Sequence, residues 1–215
     1  MALSAHDQKE KFTDDTASVQ VDGPSTLELA SAALGQSDYQ TAIELIEADP
    51  DRAADLDIRT RSLYAQALLG RAEQIMTQSP QAAQQLVSTA IEADPGRADA
   101  YAILGKLHTL SKAYALAIEA YRQAVAIDSE QSDALFNLGY IYASTGMLAD
   151  AETALRRVVV LKPAYLDKAL FNLAVVHHKQ GKTGESIEAL ERALAIDPEN
   201  EKARIYLRQL KEAPP

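Results

Sequence analysis

The stretch "ALFNL" at residues 134–138 recurs at residues 169–173, 35 residues further along the chain. The surrounding segments read "SDALFNLGYIYASTG" and "DKALFNLAVVHHKQG", so the likeness extends well beyond five letters. Self-similarity at a period of roughly 20–50 residues is typical of proteins built from stacked repeats. The chain is therefore expected to contain several copies of one structural unit.

Two further markers follow the same period. Pairs formed by Leu and a small residue recur at spacings of 34 and 35 residues: Leu104-Gly105, Leu138-Gly139 and Leu173-Ala174. The turns that end the units recur at spacings of 34, 34 and 35 residues, and carry Pro95, Ser129, Pro163 and Pro198. Because independent markers share one period, the repeat is a property of the whole segment and not of a single motif.

Each unit has the pattern of two helices joined by a turn. In the copy that contains "ALFNL", one helical face carries apolar or small residues at positions i, i+3, i+4 and i+7, namely Leu135, Leu138, Gly139 and Tyr142. Gly146 follows at a place where helix ends favour glycine. A second helix has Ala151, Leu155 and Val158 on its inner face. Helices this short bury their apolar faces only by stacking, as in a solenoid.

These residues resemble the tetratricopeptide repeat (TPR) family. Three units match its pattern, at 98–131, 132–166 and 167–200. Two positions depart from it, since Lys112 stands at the usual turn glycine and Ser186 stands at a packing alanine. The resemblance implies an all-α fold, a right-handed superhelical solenoid of antiparallel helix pairs.

The pattern divides the chain into four parts. Residues 1–22 are polar and acidic and are expected to be a disordered tail. Residues 23–97 are expected to hold degenerate TPR-like repeats, the first opened by the capping box Ser25-x-x-Glu28. Residues 98–200 hold the three clear repeats. Residues 201–215 are expected to form a capping helix with one polar face, followed by a short tail.

Composition and charge exclude several classes of protein. The chain has 215 residues, a net charge of −10 and no cysteine, so a disulfide framework or thiolate metal site is excluded. The first 60 residues hold 13 acidic and 4 basic residues, and no basic stripe follows them, so nucleic acid is not expected as a partner. No run of 18 apolar residues is present to span a membrane.

The N-terminus "MALSAHDQKEKFTDD" lacks the apolar core of a secretory signal, so a cytoplasmic location is expected. A chain from which such a signal had been removed would look the same, which leaves a periplasmic or membrane-associated location open.

The resemblance also implies a binding surface, because first helices line the concave side of the TPR superhelix. Carried onto this chain, it implies a peptide-binding groove lined by Lys106, Phe136, Asn137, Tyr140, Lys168, Phe171, Asn172, Val175, His178 and Lys179. The amides of Asn137 and Asn172 would hold a peptide backbone, and the lysines would favour an acidic segment or a C-terminal carboxylate. An alternative role for the two asparagines is to brace neighbouring helices.

The sequence predicts no catalytic or metal site. His177 and His178 are adjacent, so on a helix they point about 100° apart and are poorly placed to share one ion. His108 and His177 fall at the aromatic packing position of the family and are expected in the core. No nucleophile with a paired base and no phosphate-binding loop is present. We therefore expect neither an enzyme nor a cofactor.

The resulting hypothesis is a non-catalytic protein–protein interaction module. It would bind a peptide or protein client in the concave groove and act as an assembly factor, adaptor or chaperone. The alternative is a self-assembling scaffold, a homo-oligomer that associates through the N-terminal repeats or the convex face.

Overall fold

A computed structural model describes residues 24–48 and 57–212 of the chain. Within those ranges it contains eleven α-helices and no strand. None of these helices is both long and apolar enough to cross a lipid bilayer. The tail predicted over residues 1–22 lies outside the described residues.

The helices follow one another as antiparallel pairs. The first helices are α1 (Thr26–Gly35), α3 (Ile58–Ile75), α5 (Ala98–Leu110), α7 (Ser132–Ser144) and α9 (Leu166–Lys179). The second helices are α2 (Tyr39–Glu47), α4 (Pro80–Ala93), α6 (Tyr114–Ile127), α8 (Leu148–Leu161) and α10 (Thr183–Ile196), and α11 (Glu201–Glu212) ends the array. Each helix packs against the next, and successive first helices also contact one another. The predicted all-α solenoid is confirmed.

Local sequence signals explain where the first helices begin and end. The predicted capping box opens α1: Glu28 N–H donates to Ser25 Oγ at 3.3 Å, and Ser25 N–H donates to Glu28 Oε2 at 2.8 Å. Beyond α7 and α9, Gly146 and Gly181 adopt φ values of 83° and 78°. This left-handed conformation reverses the chain toward the second helix.

In the pairs α5–α6 and α7–α8 the two helices approach closely at a glycine. A Cβ on Gly105 would lie 2.6 Å from the ring of Tyr121, and one on Gly139 would lie 2.5 Å from Leu155. Gly70 of α3 stands 35 residues before Gly105, but a Cβ there would collide with the ring of Tyr39 on α2, the second helix of the preceding pair. The glycine at this position of α3 therefore serves a contact between pairs and not the approach within its own pair.

The core lies between the first and second helices. The predicted inner faces of α7 and α8 are buried, including Leu135, Leu138, Tyr142, Ala151, Leu155 and Val158. Ser186, which departs from the family pattern, is fully buried on α10. Its hydroxyl donates to the Ala174 carbonyl of α9 at 2.8 Å, so the buried polar group is satisfied.

The turn after α5 contains a residue in an unfavourable conformation. Lys112 has φ 59°, in the left-handed region that the equivalent turn residue Gly146 adopts without a side-chain clash. We expect Lys112→Gly to raise the free energy of unfolding by about 0.5–1 kcal/mol, because relief of the left-handed strain exceeds the extra entropy that glycine loses on folding.

The reciprocal change, Gly146→Lys, should lower the free energy of unfolding by a similar amount. Urea denaturation followed by circular dichroism measures both variants. A Lys112→Gly variant less stable than the wild type would contradict the account of this turn.

Candidate functional site

The ten predicted groove residues all lie on first helices. Lys106 is on α5, Phe136, Asn137 and Tyr140 are on α7, and the other six are on α9. Because successive first helices contact one another, they form one continuous layer of the solenoid. We call the surface that α3, α5, α7 and α9 present away from the second helices the inner surface.

The α9 part of the inner surface is open and basic. Lys168, His178 and Lys179 are exposed, while Asn172 and Val175 are half-buried. Lys168 forms no ion pair within the described ranges. Lys179 Nζ donates to the Ala143 carbonyl in the last turn of α7 at 3.1 Å, which fixes its position without neutralising its charge. Two cationic side chains on α9 therefore have no acidic partner among the described residues.

The two asparagines differ in how much hydrogen-bonding capacity they have left. Asn137 Nδ2 donates to the Asp133 carbonyl of its own helix at 2.8 Å, and its side-chain oxygen accepts no bond from residues 24–48 or 57–212. Asn172 makes no hydrogen bond with any described residue. The amide of Asn172 is thus wholly available to a partner, and that of Asn137 is available in part.

Most of the aromatic side chains predicted to line the groove already pack against other rings of the protein. Phe136 packs edge-on against Tyr165, with ring centroids 5.2 Å apart. Phe171 and His178 both pack against Tyr206 of α11, at 6.2 Å and 5.7 Å. The Tyr140 ring, on a side chain that is 52% exposed, is the most open of the predicted aromatic contacts.

Tyr165 ties the start of α7 to the turn that follows α8. Its hydroxyl donates to Asp133 Oδ1 at 2.5 Å and lies 3.0 Å from Ser132 Oγ. Burial of the ring, with the hydrogen bond to Asp133, raises the pKa of Tyr165 to about 12. The hydrogen bonds of the hydroxyl hold the start of α7, while the ring packs against Phe136 of the same helix.

Toward α3 the inner surface carries several acidic residues, and Lys106 is paired with one of them. Its Nζ lies 3.0 Å from Glu73 Oε1 of α3, a partly exposed ion pair with which a client carboxylate would compete. This pair borders a cavity of about 310 Å³ whose lining includes Glu73, Asp99 and Asp133. The Leu69-Gly70 pair was the sequence signal that could have added α3 to the predicted surface.

The last helix closes the array at its C-terminal end. The apolar side chains Leu190, Ala203 and Leu210 are buried together, with Phe171 and Tyr206 packed against them. We expect truncation after Asn200 to expose this cluster and to cause self-association beyond that of the full chain, because solenoids need a terminal helix with a polar outer face.

Size-exclusion chromatography with light scattering, run on both chains at matched concentrations, measures this effect. Trimming only residues 213–215 provides a control that leaves α11 intact. A truncated chain with the mass and melting temperature of the full chain would show that α11 has no capping role.

Comparison with known proteins identifies the repeat. Family models described as tetratricopeptide repeat or TPR repeat match residues 105–146, 132–165 and 167–200. A search of curated protein sequences found no match.

Among solved structures, MamA has a TM-score of 0.61 at 22% identity, covering 81% of this chain and 97% of its own. YrrB, described as a TPR protein with an unusual peptide-binding site, has a TM-score of 0.63 at 19% identity, covering 85% and 90%. Pseudomonas aeruginosa pilF has a TM-score of 0.65 at 24% identity, covering 70% and 68%. At these identities the likeness establishes the fold alone.

Proposed function

Because the chain belongs to the tetratricopeptide repeat family, we propose that it is a non-catalytic interaction module that binds an extended segment of a protein client on its inner surface. The client segment lies across α7 and α9, and the protein acts on that client as an assembly factor, adaptor or chaperone. The family supports the general role in protein binding, and the following contacts support the particular surface.

The observation that carries this proposal is the amide of Asn172, which has no hydrogen-bond partner among the described residues, together with two lysines on the same helix that have no acidic partner there. A peptide backbone offers alternating N–H donors and C=O acceptors, and an asparagine amide matches both. Asn172 has its whole amide available, and Asn137 on the preceding first helix has a free side-chain oxygen. The half-buried Val175 and the exposed Tyr140 add apolar contact beside them.

The charged side chains of the inner surface indicate which kind of client segment would bind there. Lys168 and Lys179 lie on α9 without acidic partners in the part of the chain that the structure describes, whereas Lys106 is paired with Glu73 near the other end. An acidic segment or a C-terminal carboxylate of the client therefore lies against α9. The exposure of these lysines makes the attraction sensitive to salt.

The inner-surface proposal is tested with a double substitution, Asn137→Ala with Asn172→Ala. Each hydrogen bond to the client backbone contributes roughly 0.5–1.5 kcal/mol, so the pair should weaken client binding by about 5- to 150-fold. Proteins captured from the native lysate by the wild-type chain are identified first, and peptides from the captured client are then titrated by fluorescence anisotropy. Gln123→Ala, which removes an exposed amide from the second helix α6, is the matched control.

Two results would contradict the proposal in different ways. Loss of helicity in the double variant would make the asparagines structural braces, and circular dichroism detects it. Intact folding with unchanged peptide affinity would move the binding site off the inner surface.

Adding Lys168→Ala to the double variant should weaken peptide binding further and flatten its salt dependence if the client end is acidic.

A self-assembling scaffold is the second candidate, favoured by one feature of the outer side. Val160 on α8 is 77% exposed beside an apolar cavity of about 320 Å³ formed with Leu161 and the side chains of Arg156 and Arg157. Self-assembly through this patch would make the mass measured by light scattering depend on concentration. Val160→Asp would then abolish that dependence without changing peptide affinity.

A further inference from the structure

His177 on α9 is a buried polar residue without a hydrogen bond to the described part of the chain. It is 4% exposed, and neither Nδ1 nor Nε2 forms a hydrogen bond with the described residues. Nε2 lies 3.5 Å from Glu152 Oε1 of α8 and 3.6 Å from Glu185 Oε2 of α10. Buried polar groups are nearly always hydrogen-bonded, because leaving one unpaired is costly. A role in core packing therefore does not by itself explain why a histidine occupies this buried position.

The preceding repeat has different residues at the positions equivalent to His177 and Glu152. Tyr142 occupies the position equivalent to His177, 35 residues earlier, and its hydroxyl accepts a hydrogen bond from Arg122 Nε at 2.9 Å. Ile118 occupies the position equivalent to Glu152, 34 residues earlier, and packs against the apolar core. One unit later, an aromatic residue has become a histidine and an apolar residue has become an acid.

The equivalent position two units earlier also holds a histidine, His108, but Leu116 stands there where Glu185 stands beside His177. A nitrogen ligand and two carboxylates are therefore combined where the last two repeats meet.

Both carboxylates are held by cations. Lys182 Nζ lies 2.8 Å from Glu152 Oε2, and this hydrogen bond is the main cause that lowers the pKa of Glu152 to about 2. Arg156 Nη2 lies between the two carboxylates, 2.8 Å from Glu152 Oε1 and 3.1 Å from Glu185 Oε2. A positive charge therefore already occupies the space that both acids and His177 Nε2 face.

The cation between the acids is replaceable. The Arg156 side chain is 54% exposed, so its long, flexible stem allows the guanidinium to move into water without disturbing the core. Glu185 is 47% exposed and free to adjust its carboxylate, whereas His177 is fixed by burial. Lys182 holds the far oxygen of Glu152, as hydrogen-bonded partners hold the carboxylate ligands of metal sites.

We propose that Glu152, His177 and Glu185 form a binding site for a divalent first-row transition-metal cation, which displaces the Arg156 guanidinium. One imidazole nitrogen and two carboxylate oxygens, with water as a fourth ligand, are a donor set that zinc accepts. The imidazole disfavours magnesium and calcium, which take oxygen ligands.

The distances fit such an ion after small movements. Ligands about 2 Å from a tetrahedral zinc ion lie about 3.3 Å from one another. His177 Nε2 is already 3.5 Å and 3.6 Å from its two carboxylate oxygens, and all three ligand atoms lie within 4.8 Å of one another. Movement of the exposed Glu185 closes the remaining gap. The bound ion joins α8 to α9 and α10, so it links the second helix of one repeat to both helices of the next.

The test is a titration of zinc chloride into the full chain after metal removal, followed by calorimetry. We expect one zinc ion per chain, and a cobalt(II) titration should give the visible absorption bands of a tetrahedral site. His177→Tyr should weaken zinc binding by roughly 100-fold or more, because even changes to outer-shell partners cost 10- to 100-fold. Tyr142 shows that this repeat position accepts tyrosine.

Two matched controls and a surface variant keep the test decisive. His178→Asn on the same helix and His108→Tyr at the equivalent position two repeats earlier should leave zinc affinity unchanged. Glu185→Gln changes an exposed side chain, is expected to fold normally and should weaken binding at least 10-fold. It replaces His177→Tyr as the deciding variant if circular dichroism shows that the latter is unfolded.

Arg156→Gln separates a metal site from an ion-pair network. Arg156 forms two ion pairs that zinc must break, each worth about 0.2–1 kcal/mol at an exposed site, so its removal should tighten zinc binding by about 2- to 30-fold. Absence of zinc binding at millimolar concentration, binding that survives both His177→Tyr and Glu185→Gln, or weaker binding in Arg156→Gln would each overturn the proposal.

Discussion

The structure depends on the close approach of the two helices in each pair. At Gly105 and Gly139 the space of a methyl group is taken by Tyr121 and Leu155 of the partner helix. At the equivalent Ala174 the partner helix comes near enough for the Ser186 hydroxyl to reach a backbone carbonyl. This short separation lets a large side chain on the second helix cover the backbone of the first. Because the pairs α5–α6, α7–α8 and α9–α10 are formed in the same way, they stack with a regular period.

This constraint separates the residues that stabilise the array from those available for recognition. The face of a first helix that meets its partner is filled by residues such as Leu135 and Leu138, and tolerates little change. The opposite face has no such restriction and carries Tyr140, Lys168 and Asn172. The cluster around His177 is the exception, because ionisable groups there enter the space between helices. Such groups destabilise a core unless something compensates them.

The period predicted the helix pairs and their buried faces, because every unit repeats the same local pattern. Contacts between units were harder to predict, since they depend on how neighbouring pairs stack. The Lys106–Glu73 ion pair and the packing of Phe171 on Tyr206 are both of this kind. His177 was correctly predicted to be buried, but its acidic neighbours on α8 and α10 were missed, because Glu152 stands where the earlier repeat has Ile118. The binding role of the groove residues stays a prediction.

The unpaired charges of the inner surface have a kinetic consequence. Lys168 and Lys179 on α9 have no acidic partner among the described residues, whereas Glu73 and Asp99 toward α3 are paired with Lys106 and Arg97. A concentrated positive charge at one end of a surface attracts the acidic end of an approaching chain before any short-range contact forms. A chain with one acidic end would therefore meet this surface in a preferred direction. Such an attraction changes the rate of encounter more than the lifetime of a complex.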